Sequence, residues 1–314
     1  MSFIDQVKKE ITSKNIKEMH CRQAFLAGFV RGASALYEKD GELGLDVKVS
    51  NEDLAAQITE YFRILFDYDV REVSVAEDRL NKKDKILLSI SGEQTIDILQ
   101  ALEILTEADG ELVVNLKFYG KLTEKECCLR AFIRGLFVSA GNLTLPTENQ
   151  SSSTGYHLEM AFSHYTPALE TSEKLAQFGV ITKITRRKEN FIVYIKRVEE
   201  IKDFLAFLPA PVSVLKITDL MINREISNYS NRQKNCDLGN VNKQVEASGK
   251  QIEAINKIAE TIGLDALKSA DKAVACARRD NPDDTLSELA EKLNLSKSCL
   301  NHRLRKIIAI ANEL

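Results

Sequence analysis

The sequence predicts an α+β protein with two pseudo-symmetric αββαββα half-domains followed by an all-α helix-turn-helix domain. Three observations lead there. One order of helix-like and strand-like segments occurs twice in the first two-thirds of the chain. Each copy opens on an apolar helix with small residues four apart, "FLAGFVRGASAL" (Phe25–Leu36) and "FIRGLFVSAGNL" (Phe132–Leu143). The far end, "DDTLSELAEKLNLSKSCLNHRLRKIIAIANEL", parses as helix, tight turn, helix.

The 314 residues suit two or three domains, and 44% hydrophobic with 28% charged residues is the composition of a soluble globular chain. No apolar run approaches the roughly 18 residues of a membrane span. "MSFIDQVKKEITSKN" carries charge from Asp5 onward and has no apolar signal core. A cytoplasmic protein with no membrane partner is expected. The cysteines (Cys21, Cys127, Cys128, Cys236, Cys276, Cys299) form no C-x-x-C pair and no cluster with zinc spacing, so they read as reduced core fillers. His20, His157, His164 and His302 are scattered. Neither a metal site, a cofactor nor a Cys/His nucleophile is signalled.

The elements follow in order. Cys21–Ala33 has helical spacing, and Ser34–Tyr37 and Leu43–Val49 read as strands. Asn51-Glu52-Asp53 caps a helix with Leu54, Ile58, Tyr61, Phe62 and Leu65 on its apolar side. Val70–Val75 and Lys85–Ile90 alternate as strands around the turn "NKKD", and a helix is expected from Glu93 to Leu105. The second copy reads alike: helix Glu126–Ser139, strands Asn142–Leu145 and Tyr156–Phe162 around the polar hairpin tip "PTENQSSSTG", helix Pro167–Phe178, strands Ile181–Arg186 and Phe191–Ile195, helix Val198–Phe207. Domain limits of 1–120, 121–221, 222–248 and 249–314 follow.

Gly28 and Gly32 share one face of their helix, as do Ala131, Gly135 and Ser139 in the second copy. A mid-helix glycine costs about 1 kcal/mol against alanine, so it wants a packing reason, such as close approach of two helix backbones. These helices resemble the paired LAGLIDADG helices of homing endonucleases, with Leu26–Ser34 taking one motif and Ile133–Gly141 the other. The resemblance implies two half-domains around a DNA-binding sheet. It also implies an acid at the eighth motif position to bind a divalent metal. Ala33 and Ala140 stand there, and alanine offers no oxygen ligand. No catalytic residue is therefore expected.

Charge is uneven. Residues 1–222 hold 28 Lys+Arg against 33 Asp+Glu, whereas residues 223–314 hold 15 against 13. Nucleic-acid contact is expected towards the second stretch. "INREISNYSNRQKNCDLGNVNKQV" (Ile222–Val245) breaks the repeat and reads as an Asn/Arg-rich linker, either solvated with a short helix or contacting DNA through residues such as Arg232 and Lys234. Helices at Gln251–Ile262 and Leu267–Arg279 lead into the final pair. There Asp284 or Thr285 caps the first helix, and Leu286, Leu289, Ala290 and Leu293 lie inside. Asn294 takes the left-handed turn position, Leu295 plugs the turn, and Ser296 caps the second helix. Leu300, Leu304, Ile307 and Ala311 form its buried side. Lys297, Ser298, Asn301, His302 and Arg305 form the opposite one. Asn301 and Arg305 suit base edges; Lys297, Arg303 and Lys306 suit phosphates.

A LAGLIDADG-like body without its acids, followed by an Arg/Asn-rich link and this tail, is similar to the WhiA family of sporulation and cell-division regulators of Gram-positive bacteria. The most specific pieces are "NRQKNCDLGNVNK" (Asn231–Lys243) and "SKSCLNHRLRKI" (Ser296–Ile307). The last helix also resembles, more distantly, the promoter-reading helix of sigma-factor region four. The resemblance implies a sequence-specific transcription factor that binds double-stranded DNA through its tail, with no nuclease activity. The body would then meet DNA backbone or a transcription protein. Two competing expectations are a metal-dependent endonuclease using Glu38, Asp40 and Glu148, and a cell-division or chromosome scaffold that binds no specific sequence.

Overall fold

The computed structural model describes residues 2–75, 85–146 and 155–314. The "NKKD" turn, most of the "PTENQSSSTG" tip and Glu148 lie outside the described residues. The chain forms two compact units, Met1–Asp219 and Leu220–Leu314.

The first unit opens on a helix that the sequence reading did not include, α1 (Phe3–Ser13). Ser2 and Asp5 form a capping box at its start, and Val7 and Ile11 are its buried residues. With only two buried positions in a charged stretch, its apolar period is too short to read. The first copy of the repeat follows: α2 (Met19–Ala33), β1 (Ser34–Lys39), β2 (Glu42–Val49), α3 (Glu52–Phe66), β3 (Arg71–Val75), β4 (Lys85–Ser91) and α4 (Thr95–Ala101). Asn51 caps α3 by accepting from the Leu54 amide at 2.9 Å, as its sequence position predicts.

The expected helix Glu93–Leu105 ends early. Glu103 takes positive φ just past α4, and Leu105 opens a hairpin of β5 (Leu105–Ala108) and β6 (Glu111–Val114). Its turn is Asp109-Gly110, both with positive φ, a hairpin-forming pair. The second copy is α5 (Glu126–Ala140), β7 (Gly141–Thr144), β8 (His157–Phe162), α6 (Tyr165–Ala176), β9 (Lys183–Arg187), β10 (Asn190–Ile195) and α7 (Val198–Phe207).

The two sheets have matching strand orders, β1-β2-β4-β3 and β7-β8-β10-β9, all antiparallel. Alternation assigns their faces. Leu45 pairs with Ile90 and Val47 with Leu88, and all four are buried; Leu158 with Ile195 and Met160 with Val193 do the same in the second sheet. The other face is polar. Tyr37 meets Ser89 there in the first sheet, and Glu159 pairs with His157 and Arg187 in the second.

Between the copies, α2 and α5 touch through main chain. A Cβ added at Gly28 would overlap the carbonyl oxygen of Phe132, and one at Gly135 that of Phe25. One at Gly32 would strike Ser139. The glycines thus have the packing reason their position asks for. Arg134 is buried in α5 and donates to the carbonyls of Ile11 and Lys14, tying α1 to the seam.

The expected linker is not irregular. Helix α8 runs unbroken from Pro211 to Thr261, through both the stretch read as a linker and the separately expected helix at Gln251. Pro211 suits the first helical position, and the Glu10 carboxylate caps the next amides, accepting from Val212 N at 2.7 Å and Ser213 N at 2.9 Å. No proline follows to stop the helix before Thr261. Its middle is exposed nearly all round, which is why no apolar period marks it. No helix among the described residues is long and apolar enough to cross a membrane.

Candidate nucleic-acid interface

Three helices complete the second unit: α9 (Ser269–Asp280), α10 (Leu286–Lys292) and α11 (Lys297–Glu313). With the end of α8 they enclose one apolar core, built on Ile255, Ile258, Val274, Leu289, Leu300, Leu304 and Ile307. Thr285, rather than Asp284, caps α10: its hydroxyl accepts from Glu288 N, and the Glu288 carboxylate returns to Thr285 N at 2.7 Å. The turn that follows is a Schellman motif. Asn294 sits at φ 52°, its amide bonds back to the Glu291 carbonyl at 3.1 Å, and Leu295 N reaches the Ala290 carbonyl at 2.9 Å. Leu295 packs on the core and Ala290 is buried. Ser296 then caps α11 by accepting from Cys299 N at 3.1 Å.

On α11, Lys297, Ser298, His302 and Arg305 are exposed and Asn301 is half-buried. Lys297, Asn301 and Arg305 are successive four-residue steps and so line one ridge. Leu300, Leu304, Ile307 and Ala311 are buried on the other side, as the sequence predicts.

Two of the basic residues, both part-exposed, also pair with a buried acid. Asp271 on α9 is 3% exposed, and it binds Arg303 Nη1 at 3.0 Å through one oxygen and Lys306 Nζ at 2.6 Å through the other. Those bonds, the one from Lys306 above all, hold the Asp271 carboxyl below the usual aspartate range against the cost of burying it. Arg303 and Lys306 therefore brace α11 against α9, a pairing that their reading as phosphate contacts does not include. Nothing in the local sequence of α11 marks this, because the partner lies on another helix. Buried Arg278 was likewise not singled out; it donates to the Asp284 carbonyl at 2.8 Å and fixes the loop ahead of α10.

Arg232 and Lys234 are exposed on α8, with Arg232 Nε donating to the Asn228 carbonyl of its own helix. Contact between α8 and the α9–α10 loop begins at Gln244, which reaches the Asp283 carbonyl at 3.5 Å, and Ser248 follows at the Pro282 carbonyl. Arg232 lies twelve residues before Gln244, about 18 Å along the helix. The structure does not gather Arg232 and Lys234 into the patch on α11.

In the first unit, Ala33 ends α2 and Ala140 ends α5. The cleft beside them is lined by Gly32, Ser34, Lys48, Ser50 and Ser139 among others, and among the described residues no carboxylate belongs to its lining. Glu38 sits on β1, and Asp40 is in the β1–β2 turn at φ 55°. At the opposite end of the helix pair, the structure brings together four residues that the sequence reading left apart. His20, Cys21, Cys127 and Cys128 place one ligand atom each within 4.8 Å of one another. The sequence signals no Cys/His cluster with zinc spacing, because a pair of adjacent residues on each of two helices has no fixed sequence spacing to recognise.

Three family models match: the WhiA N-terminal LAGLIDADG-like domain over residues 19–105, the WhiA LAGLIDADG-like domain over 129–227, and the WhiA C-terminal HTH domain over 230–311. The chain belongs to the WhiA family. This WhiA-family chain is 34% identical over 319 residues to the "Probable cell division protein WhiA" of Bacillus pumilus (strain SAFR-032), covering all of the chain and 97% of the relative. It is 34% identical over 318 residues to the protein of the same name from Bacillus cereus (strain G9842), with the same coverage. The fold resembles the full-length DUF199/WhiA of Thermatoga maritima, with TM-score 0.56 and 22% identity over 98% of this chain and 97% of that one. Two LAGLIDADG-like half-domains and a helical HTH region thus make up this WhiA chain.

Proposed function

We propose that this protein is a sequence-specific DNA-binding regulator of transcription, linked to cell division and sporulation, that works at the nucleoid without cutting DNA. One observation carries the reading. The α11 helix is capped, turned and buried on one side so that Lys297, Asn301 and Arg305 stand in a row on the other. Asparagine can pair bidentately with adenine and arginine with guanine, each worth about 1–3 kcal/mol of discrimination. Lys297, near the helix start, suits a phosphate. Ser298 and His302 flank the ridge. Arg232 and Lys234 on α8 are candidates for backbone contact further along a duplex.

The body supports the non-nuclease part of the reading. Alanine stands at both motif positions, and among the described residues no carboxylate lines the adjoining cleft. Mg²⁺ needs hard oxygen donors to activate water against a phosphodiester. The polar sheet faces offer a second surface, and the acidic balance of residues 1–222 favours a protein of the transcription apparatus over nonspecific DNA there.

One preparation of full-length protein tests both parts. A site selected from random DNA is titrated against a scrambled site at several salt concentrations. Asn301→Ala and Arg305→Ala should each lower affinity for the selected site about 5- to 100-fold and relax preference at one or two base pairs. Equal affinity for selected and scrambled DNA would favour the scaffold reading instead. In the second arm supercoiled plasmid with Mg²⁺ or Mn²⁺ should stay intact; cleavage that co-purifies with the protein would sink the non-nuclease reading.

A further inference from the structure

We propose that His20, Cys21, Cys127 and Cys128 form a zinc site that clamps together the starts of the two central helices, α2 and α5. His20 Nδ1 lies 3.1 Å from Cys128 Sγ and 3.3 Å from Cys21 Sγ, and all four ligand atoms fall within 4.8 Å. A tetrahedral zinc with Zn–S near 2.3 Å and Zn–N near 2.0 Å sets its ligand atoms roughly 3.5–3.8 Å apart. The cluster brackets that spacing. Cys21 and Cys128 are buried and set by packing, whereas His20 and Cys127 are at the surface, where small rotations about χ1 close the remainder.

The donor set chooses the metal. Three sulfurs and one imidazole suit zinc, and no oxygen donor is present for magnesium or calcium. Each thiol that binds passes its proton to solvent, so three thiolates and Zn²⁺ leave one negative charge. That charge lies where the amino ends of two fifteen-residue helices meet, and helix starts favour anions.

The repeat accounts for the arrangement. The register that aligns Leu26 with Ile133 also aligns His20 with Cys127 and Cys21 with Cys128. Each copy thus supplies an adjacent pair of ligands from the same place, and the helix seam brings the pairs face to face. Zinc here would hold the two half-domains together at the end remote from Ala33 and Ala140. It would be structural, because four protein ligands leave no open position for a substrate.

The test uses full-length protein purified under reducing conditions without chelator. Mass spectrometry of elements should find about one zinc per chain in the wild type. His20→Ala and Cys127→Ser, both at the surface, should reduce it several-fold with unchanged far-ultraviolet circular dichroism, and Cys236→Ser on α8 should leave it unchanged. Cobalt(II) in place of zinc should give thiolate charge-transfer bands and the intense visible bands of tetrahedral cobalt. A zinc chelator should lower the melting temperature of the wild type by roughly 5–10 °C and that of Cys127→Ser far less. Zinc-loaded protein in which Cys127→Ser/Cys128→Ser keeps its metal would overturn the proposal. So would wild type with its three cysteines reduced and no stoichiometric metal, or a disulfide among these thiols in the reduced preparation. If a variant misfolds, the wild-type cobalt spectrum decides alone: octahedral bands refute the site and tetrahedral thiolate bands support it.

Discussion

At the α2–α5 seam two helices meet through bare main chain, whereas at the α10–α11 turn two helices meet through side chains that plug, cap and pair. The seam depends on what is missing: Gly28 and Gly135 leave room for the carbonyls of Phe132 and Phe25. The turn depends on what is present: Leu295 on the core, hydroxyl caps from Thr285 and Ser296, and Asp271 between Arg303 and Lys306. A contact of main chain on main chain has no slack, so its geometry survives only if nothing is added. A contact of side chains tolerates exchange, and by concentrating its bonds on one side of α11 it leaves the other side open to carry polar donors.

The largest effect should come from adding atoms to the seam. Gly28→Leu and Gly135→Leu should each destabilise the first unit by about 3 kcal/mol or more, the upper end for overpacking, because a main-chain carbonyl cannot rotate away. Urea denaturation followed by circular dichroism measures it; melting unchanged in both variants would break the comparison at its root.

An intermediate effect is expected at the ion-pair knot. Asp271→Ala should cost the second unit about 1–3 kcal/mol, since it strands two partly buried cations. The pH dependence has a definite sign. Asp271 has its folded pKa depressed, so its contribution is complete above the ordinary aspartate value of about 3.9 and is lost as pH falls through the depressed value. Thermal melts of wild type and Asp271→Asn should therefore converge on acidification; a constant gap would mean that charge is not what Asp271 supplies.

The smallest effect belongs to the turn. Asn294 holds φ 52°, which glycine adopts freely and alanine resists. Asn294→Gly should stabilise by about 0.5 kcal/mol and Asn294→Ala should cost about 1 kcal/mol. Equal melting of the two would show that the turn relaxes out of the left-handed region.

What the sequence revealed follows the same division. Alternating strands, helical spacing and side-chain caps at Asn51, Thr285 and Ser296 were legible because each is a local pattern with a local physical cause. So was the ridge of Lys297, Asn301 and Arg305. The β5–β6 hairpin was hidden by apolar residues that continue the period of α4, although Asp109-Gly110 marked its turn. Helix α8 was hidden by being polar on all sides. The pairing of Arg303 and Lys306 with Asp271 was not legible because that partner sits on another helix, some thirty residues away. The His20–Cys128 cluster needed the fold itself, since each helix supplies only two adjacent ligands.

The bare seam also sets a schedule for synthesis. Phe25 and Gly28 wait for Phe132 and Gly135, about a hundred residues downstream. At roughly 5–20 residues per second, that interval lasts about 5–20 s. Throughout it the α2 face, with Phe25 and Phe29, has no α5 to cover it, and a nascent chain in that state is a client for chaperones. A ribosome pausing between the two copies would lengthen that exposure, whereas one pausing after α5 has emerged would not.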